Sequence, residues 1–149
     1  MRNAALLWLR KVDDESRVLE IVIGPIEAEA ISLAQQGVIP PRPLTHNLLL
    51  TTIESVGLSL TEVRITNIEN GTFFAELVLS NGIEISARPS DAIALALRAQ
   101  CPILVSAEVY DLATREIQPE EEEEDSEEEI EAFRNFLEGL NPDDFDTQP

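Results

Sequence analysis

At 149 residues the chain has room for one compact domain and an appendage. Hydrophobic residues at 44% and charged residues at 26% are the make-up of a globular protein, and no apolar run nears the roughly 18–20 residues of a membrane span. A net charge of −19 with Lys11 as the one lysine excludes a generic basic surface for phosphate backbones, because each phosphate contact calls for a Lys or Arg.

The charge is uneven. From residue 119 onward, 14 acids stand against Arg134 alone, a charge of −13, which leaves −6 on the first 118 residues. No charged-then-apolar leader opens the chain, so the cytoplasm is the expected location. The single Cys101, ahead of Pro102 and an apolar run, reads as a buried structural thiol.

In chain order, residues 5–9 and 18–23 are apolar runs around the polar stretch Asp13, Asp14, Glu15, Ser16, which predicts a hairpin. A helix follows from Pro25, a residue suited to the first turn, with Glu27 placed to complement the positive end of the helix dipole. Residues 38–46, with Pro40, Pro41 and Pro43, form a proline-stiffened connector. Residues 47–56 predict a second helix ended by Gly57, with Leu49, Leu50, Ile53 and Val56 on its buried face. Residues 63–68 alternate as a strand, turned by Asn70 and Gly71. Residues 73–79 and 83–87 flank Ser80, Asn81 and Gly82, a second hairpin signal. The helix after it starts at Pro89, with Ser90 as expected N-cap and Asp91 in the first turn. Residues 103–106 and Val109 with Tyr110 predict a further edge element. In the tail, residues 119–129 read as a solvated acidic linker. Residues 130–140 then align Ile130, Phe133, Leu137 and Leu140 on one helical face, to dock on the body, on a second subunit or on another protein.

The chain also repeats itself. Residues 20–36 match residues 84–100 at an offset of 64: Glu20 falls on Glu84, Ile21 on Ile85, Pro25 on Pro89, Glu27 on Asp91, Ala28 on Ala92, Ala30 on Ala94, Leu33 on Leu97 and Gln36 on Gln100. Each copy is a hairpin followed by a helix, and two such units bury their apolar faces together better than one alone. The expected architecture is α+β: a domain over residues 1–118 built from two similar β-hairpin–helix units, and an acidic linker with a short amphipathic helix over residues 119–149.

Three segments carry a family resemblance. They are Ile23 to Ile31 (Ile-Gly-Pro-Ile-Glu-Ala-Glu-Ala-Ile), Arg42 to His46 (Arg-Pro-Leu-Thr-His) and Ala87 to Ala96 (Ala-Arg-Pro-Ser-Asp-Ala-Ile-Ala-Leu-Ala). They resemble the signature segments of the bifunctional nuclease (BFN) family, over roughly residues 5–112, and the tail resembles that of actinobacterial members. The resemblance implies a compact, often dimeric α+β domain acting on both DNA and RNA with low sequence specificity. Where the family commonly has Asp after the histidine, this chain has Asn47.

Phosphodiester cleavage needs an activated nucleophile and neutralised charge at the phosphate. The groups at hand are His46 as base or metal ligand, Asp91 and Glu27 as metal ligands, Arg42 and Arg88 as phosphate clamps, and Thr45 and Ser90 beside them as substrate-binding residues. A divalent cation, Mg²⁺ or Mn²⁺, is the one cofactor expected. The structural alternative is plain: Glu27 and Asp91 suit a helix first turn in any case, Arg88 suits an ion pair, and His46 suits a brace for the helix after it. A second class of function is therefore a non-catalytic, dimeric binding or regulatory module whose acidic tail mimics or masks a charged surface; the partners expected are a second copy, as a homodimer or higher homo-oligomer, and a protein that takes the tail. No Gly-rich phosphate loop, zinc spacing or nucleophile elbow is present.

Overall fold

The computed structural model describes residues 4–118 together with 127, 128, 130–132, 134 and 135. The chain divides into two compact units, residues 1–115 and 116–149.

The first hairpin pairs β1 (Ala5–Lys11) with β2 (Asp14–Ile23), Leu7 opposite Ile21 and Leu9 opposite Leu19. Its turn is tighter than the polar stretch predicts. Only Val12 and Asp13 turn, and Asp14, Glu15 and Ser16 already belong to β2, with Asp14 Oδ1 accepting the Ser16 amide at 3.2 Å. The side chain satisfies the backbone locally, so a polar stretch can start a strand. Helix α1 (Pro25–Gln35) follows, and after the proline connector comes α2 (Thr45–Ser55). Helix α2 begins two residues earlier than expected and buries less: Ile53 is buried and Leu50 packs on the core, but Leu49 and Val56 are exposed. It leans on the body through a narrow stripe only.

Strand β3 (Leu60–Glu69) turns at Asn70 (φ 51°) and Gly71 (φ 78°) into β4 (Thr72–Leu79). Two successive positive φ values suit the twist of a tight hairpin. β4 then pairs with β5 (Glu84–Ala87), which leads into α3 (Pro89–Ala99). The offset of 64 holds in three dimensions. Both α1 and α3 have 11 residues, with a Pro in the first turn, and β2 and β5 end at Ile23 and Ala87. β6 (Ile103–Val105) adds parallel to β3. The expected edge element at Val109 and Tyr110 is instead inside α4 (Ala107–Ala113), because Ser106 caps it by accepting the Val109 amide at 3.2 Å. β7 (Thr114–Glu116) completes the second sheet; the strand orders are β5-β4-β3-β6 and β1-β2-β7.

One core joins these layers, built from Leu19, Ile21, Val63, Ile65, Leu77, Ile93 and Leu95 among others. α3 is its axis, with Ala92, Ala94 and Ala96 all at 1% exposure or less, small enough to let α1 and both sheets close in. Cys101 is half-buried at its edge, and burial raises its thiol pKa, as suits an inert structural thiol. Among the described residues no helix is long and apolar enough to cross a membrane.

In the second unit, the described residues among 130–135 are helical, as expected for the start of the tail helix. Glu127 and Glu128, within the predicted linker, are helical as well. Residues 119–126 and 136–149 lie outside the described residues.

Candidate functional site

Each of the first three helices begins where a short polar or charged residue occupies its first turn. α1 and α3 have Pro in the first turn after an extended N-cap, Gly24 and Arg88, and α2 starts after Leu44; none of the three has a side-chain cap. The uncapped ends leave positive helix termini that favour acids. Glu27 and Asp91, equivalent in the two copies, supply them.

Arg88 joins the two copies. Its Nε donates to Asp91 Oδ2 at 2.8 Å and its NH2 to Asp91 Oδ1 at 3.1 Å, while NH1 donates to Glu27 Oε1 at 3.0 Å. His46, from α2, meets Asp91 Oδ1 through Nε2 at 3.0 Å. An ionised carboxylate only accepts, so Nε2–H is the donor of this bond. The tetrad is graded in exposure: the His46 side chain is 18% exposed and that of Arg88 63%.

Electrostatics follows from these contacts. Arg88 is held more firmly protonated, first by its bonds to Asp91 and then by Glu27. The Glu27 carboxyl is lowered, first by its own backbone N–H and then by Arg88. Burial is the largest influence on Asp91 and pushes its carboxyl up, but the bonds from Arg88 and His46 together outweigh it and the net shift is downward.

The structure thus brings together four of the seven residues singled out by the sequence: Glu27, His46, Arg88 and Asp91. Arg42 and Thr45 are exposed and join none of these bonds. Ser90 is not the N-cap. Pro89 takes the first helical position, Arg88 becomes the cap, and Ser90 is carried inside at 7% exposure.

The divalent cation expected above does not fit this arrangement. Among the described residues no three His, Cys, Asp or Glu side chains gather as a cation site. The guanidinium already lies between the two carboxylates and takes three of their oxygens.

Beside the tetrad opens a cleft of about 590 Å³, lined by residues 20–24, Glu27, Ile68, Gly71, Thr72, Phe73 and residues 88–90. Sequence reading singled out neither its Phe73 and Ile68 wall nor Gly24. A side chain at Gly24 would run into the Glu27 carboxylate, so the glycine lets that carboxylate fold back against the start of α1. The signal was in the repeat, where Gly24 is the counterpart of Arg88. A larger, more apolar cavity of about 1000 Å³ lies between β1 and β6 and contains no tetrad residue.

A hairpin–helix duplication whose two first-turn acids share one arginine, with a histidine from the helix between the copies bonded to one of them, defines an α+β domain with a polar site where α1 and α3 meet. The model of the bifunctional nuclease domain matches residues 7–118, so the chain belongs to that family. An uncharacterized protein of Mycobacterium tuberculosis is 47% identical over 148 residues, 97% of this chain and 90% of its own length. Bifunctional nuclease 1 of Oryza sativa subsp. indica is 26% identical over 118 residues, 74% of this chain but 36% of the plant protein. Bifunctional nuclease 2 of Arabidopsis thaliana is 28% identical over 104 residues, 66% of this chain and 32% of its own length.

Proposed function

We propose that this protein cleaves phosphodiester bonds of DNA or RNA, with His46 as general base, Asp91 as its positioning residue and Arg88 as the phosphate clamp. The observation that carries the reading is the unbroken contact chain from the imidazole to the exposed guanidinium, His46 to Asp91 at 3.0 Å and Asp91 to Arg88 at 2.8 Å. Asp91 fixes the tautomer that leaves Nδ1 basic. A nucleophilic hydroxyl gives its proton to Nδ1, its oxygen bonds to phosphorus, and the opposite P–O bond breaks, the leaving oxygen taking a proton from the imidazolium or water. Arg88 meets the charge that builds on the phosphoryl oxygens. Glu27 holds Arg88 from the other side.

The test is a cleavage assay on single-stranded DNA and RNA comparing wild type with His46→Ala and Asp91→Ala, purified identically. Activity that persists through purification and falls in both folded variants supports the reading. Activity equal in all three proteins, or absent from all, removes these residues from catalysis.

A second reading rests on a separate observation. α2 turns Leu48, Leu49 and Val56 outward at 57%, 41% and 70% exposure. A run of exposed apolar side chains on one helix marks an interface, here for a second copy of the chain. In that reading the tetrad is a clasp on the helix starts, and the chain is a dimeric binding module.

A further inference from the structure

We propose that the cleft beside the tetrad is a pocket for one unpaired nucleotide, with the phosphate against Arg88, Ser90 and the start of α3, and the base against Phe73 and Ile68. The proposal rests on the nucleic-acid reading above and adds which part of the substrate the cleft holds.

The phosphate end is defined by unused donors. Ser90 is more than nine-tenths buried, lines the cleft, and its hydroxyl has no hydrogen-bond partner among the described residues. That hydroxyl can therefore bond an atom placed in the cleft. It stands in the first turn of α3, which has 11 residues and no side-chain cap. The first backbone bond of α3 is that of Ala92 to Arg88 at 3.0 Å, which leaves the Ser90 and Asp91 amides without a partner inside the helix. The exposed face of Arg88 borders the same space.

The other end is apolar. Phe73 and Ile68 line the cleft and pack against the core from behind, which makes a fixed wall for a planar base. The two carboxylates in the lining are already matched. Glu20 accepts from Trp8 Nε1 at 3.0 Å and pairs with Arg115 at 2.9 Å, and Glu27 pairs with Arg88. Arg88 is shared between Glu27 and Asp91, so an incoming anion is met by the exposed face of the guanidinium and the amides of the α3 start rather than by a surplus of positive charge. The volume, about 590 Å³, lies within the range of small-ligand sites rather than of duplex grooves. A base can enter such a pocket only when it is out of its stack.

The experiment uses the full chain at low salt, titrated with inorganic phosphate, adenosine 5′-monophosphate, a single-stranded oligonucleotide and the same oligonucleotide as a duplex. Trp8 is the one tryptophan and hydrogen-bonds a cleft residue, so its fluorescence reports occupancy, with calorimetry as a second readout. The monophosphate should bind about tenfold tighter than phosphate, and the single strand, not the duplex, should displace it. Ser90→Ala should weaken both small ligands by roughly tenfold, whereas Phe73→Leu should weaken the monophosphate alone by a similar factor. Equal binding of phosphate and monophosphate, unchanged binding in both variants after circular dichroism shows them folded, or no binding overturns the pocket. Nucleotide binding without cleavage by the wild type would sink the catalytic reading and leave the pocket standing. Cleavage of single strand and duplex alike, uninhibited by monophosphate, would do the reverse.

Discussion

Replacing Arg88 with Met tests whether the tetrad holds the two halves together. The substitution keeps the apolar stem and removes three charge-assisted hydrogen bonds, two to Asp91 and one to Glu27. In a dry site each would be worth about 1.5–3 kcal/mol. Arg88 is 63% exposed, so solvent screens the pairs, and values near those of surface ion pairs, up to about 1 kcal/mol each, apply instead. With two ion pairs lost and two carboxylates left facing each other, the expected loss is about 1–2 kcal/mol at neutral pH. For a chain of 149 residues that lowers the melting temperature by roughly 3–8 °C. The pH dependence discriminates further. Glu27 and Asp91 both titrate lower in the folded protein than in the unfolded chain. Their stabilising contribution is therefore complete above the unfolded values near pH 4 and disappears as the pH falls through the lower folded values. The gap between wild type and variant should begin to narrow below about pH 4 and close only once the pH is below the lower folded values. Thermal melts by circular dichroism at pH 7 and pH 3, in low salt, measure both quantities. A variant as stable as wild type at pH 7, or a gap as large at pH 3 as at pH 7, would refute the idea that these charges clasp the halves.

Asp91→Asn keeps the shape but can present either an acceptor or a donor to Nε2. The histidine then loses its enforced tautomer, and kcat on an RNA substrate should fall by about 10³–10⁴ with little change in KM. On the dimeric reading, sedimentation of the full chain at micromolar concentration should show a dimer that Leu48→Glu converts to a monomer without lowering the melting temperature, since Leu48 is exposed; a monomeric wild type ends that reading. Ending the chain at Gln118 removes a charge of −13, so any affinity for single-stranded nucleic acid should rise at low salt and the gain should shrink as salt is added. Equal affinity of the two chains would show that the tail does not act through its charge.

Where local chemistry decides, the sequence was readable. The Pro25 and Pro89 helix starts, the Asn70 and Gly71 turn and the acids of the two first turns depend on a few neighbouring residues, and all appear where expected. Errors arose where a neighbour overrode a local preference. Ser90 has an N-cap side chain, yet Pro89 shifts the cap to Arg88 and core packing draws Ser90 in. Val109 and Tyr110 have strand-forming side chains, yet the Ser106 cap starts a helix through them. In α2, four apolar residues at helical spacing indicated a wide buried face, but spacing cannot tell which stripe faces the body and which faces solvent. The pairing of Arg88 with Glu27, 61 residues apart, was not legible in any local pattern.

The duplication explains why the site has its composition. Two equivalent helix starts each favour an acid in the first turn, and packing α1 against α3 brings those two acids within reach of a single side chain. Two carboxylates so close require a cation between them. A perfectly symmetric chain would have to recruit one from solution. The two copies differ at this site in one telling pair: the first has Gly24, against which the Glu27 carboxylate folds, and the second has Arg88, which reaches across to Glu27. The cation is thus covalently part of the chain. Replacing Arg88 with Gly would give both copies the same residue there and leave Glu27 and Asp91 unneutralised, so that variant, unlike wild type, should gain thermal stability from millimolar Mn²⁺. If Mn²⁺ raises the melting temperature of both proteins equally, the guanidinium is not standing in the place of a cation.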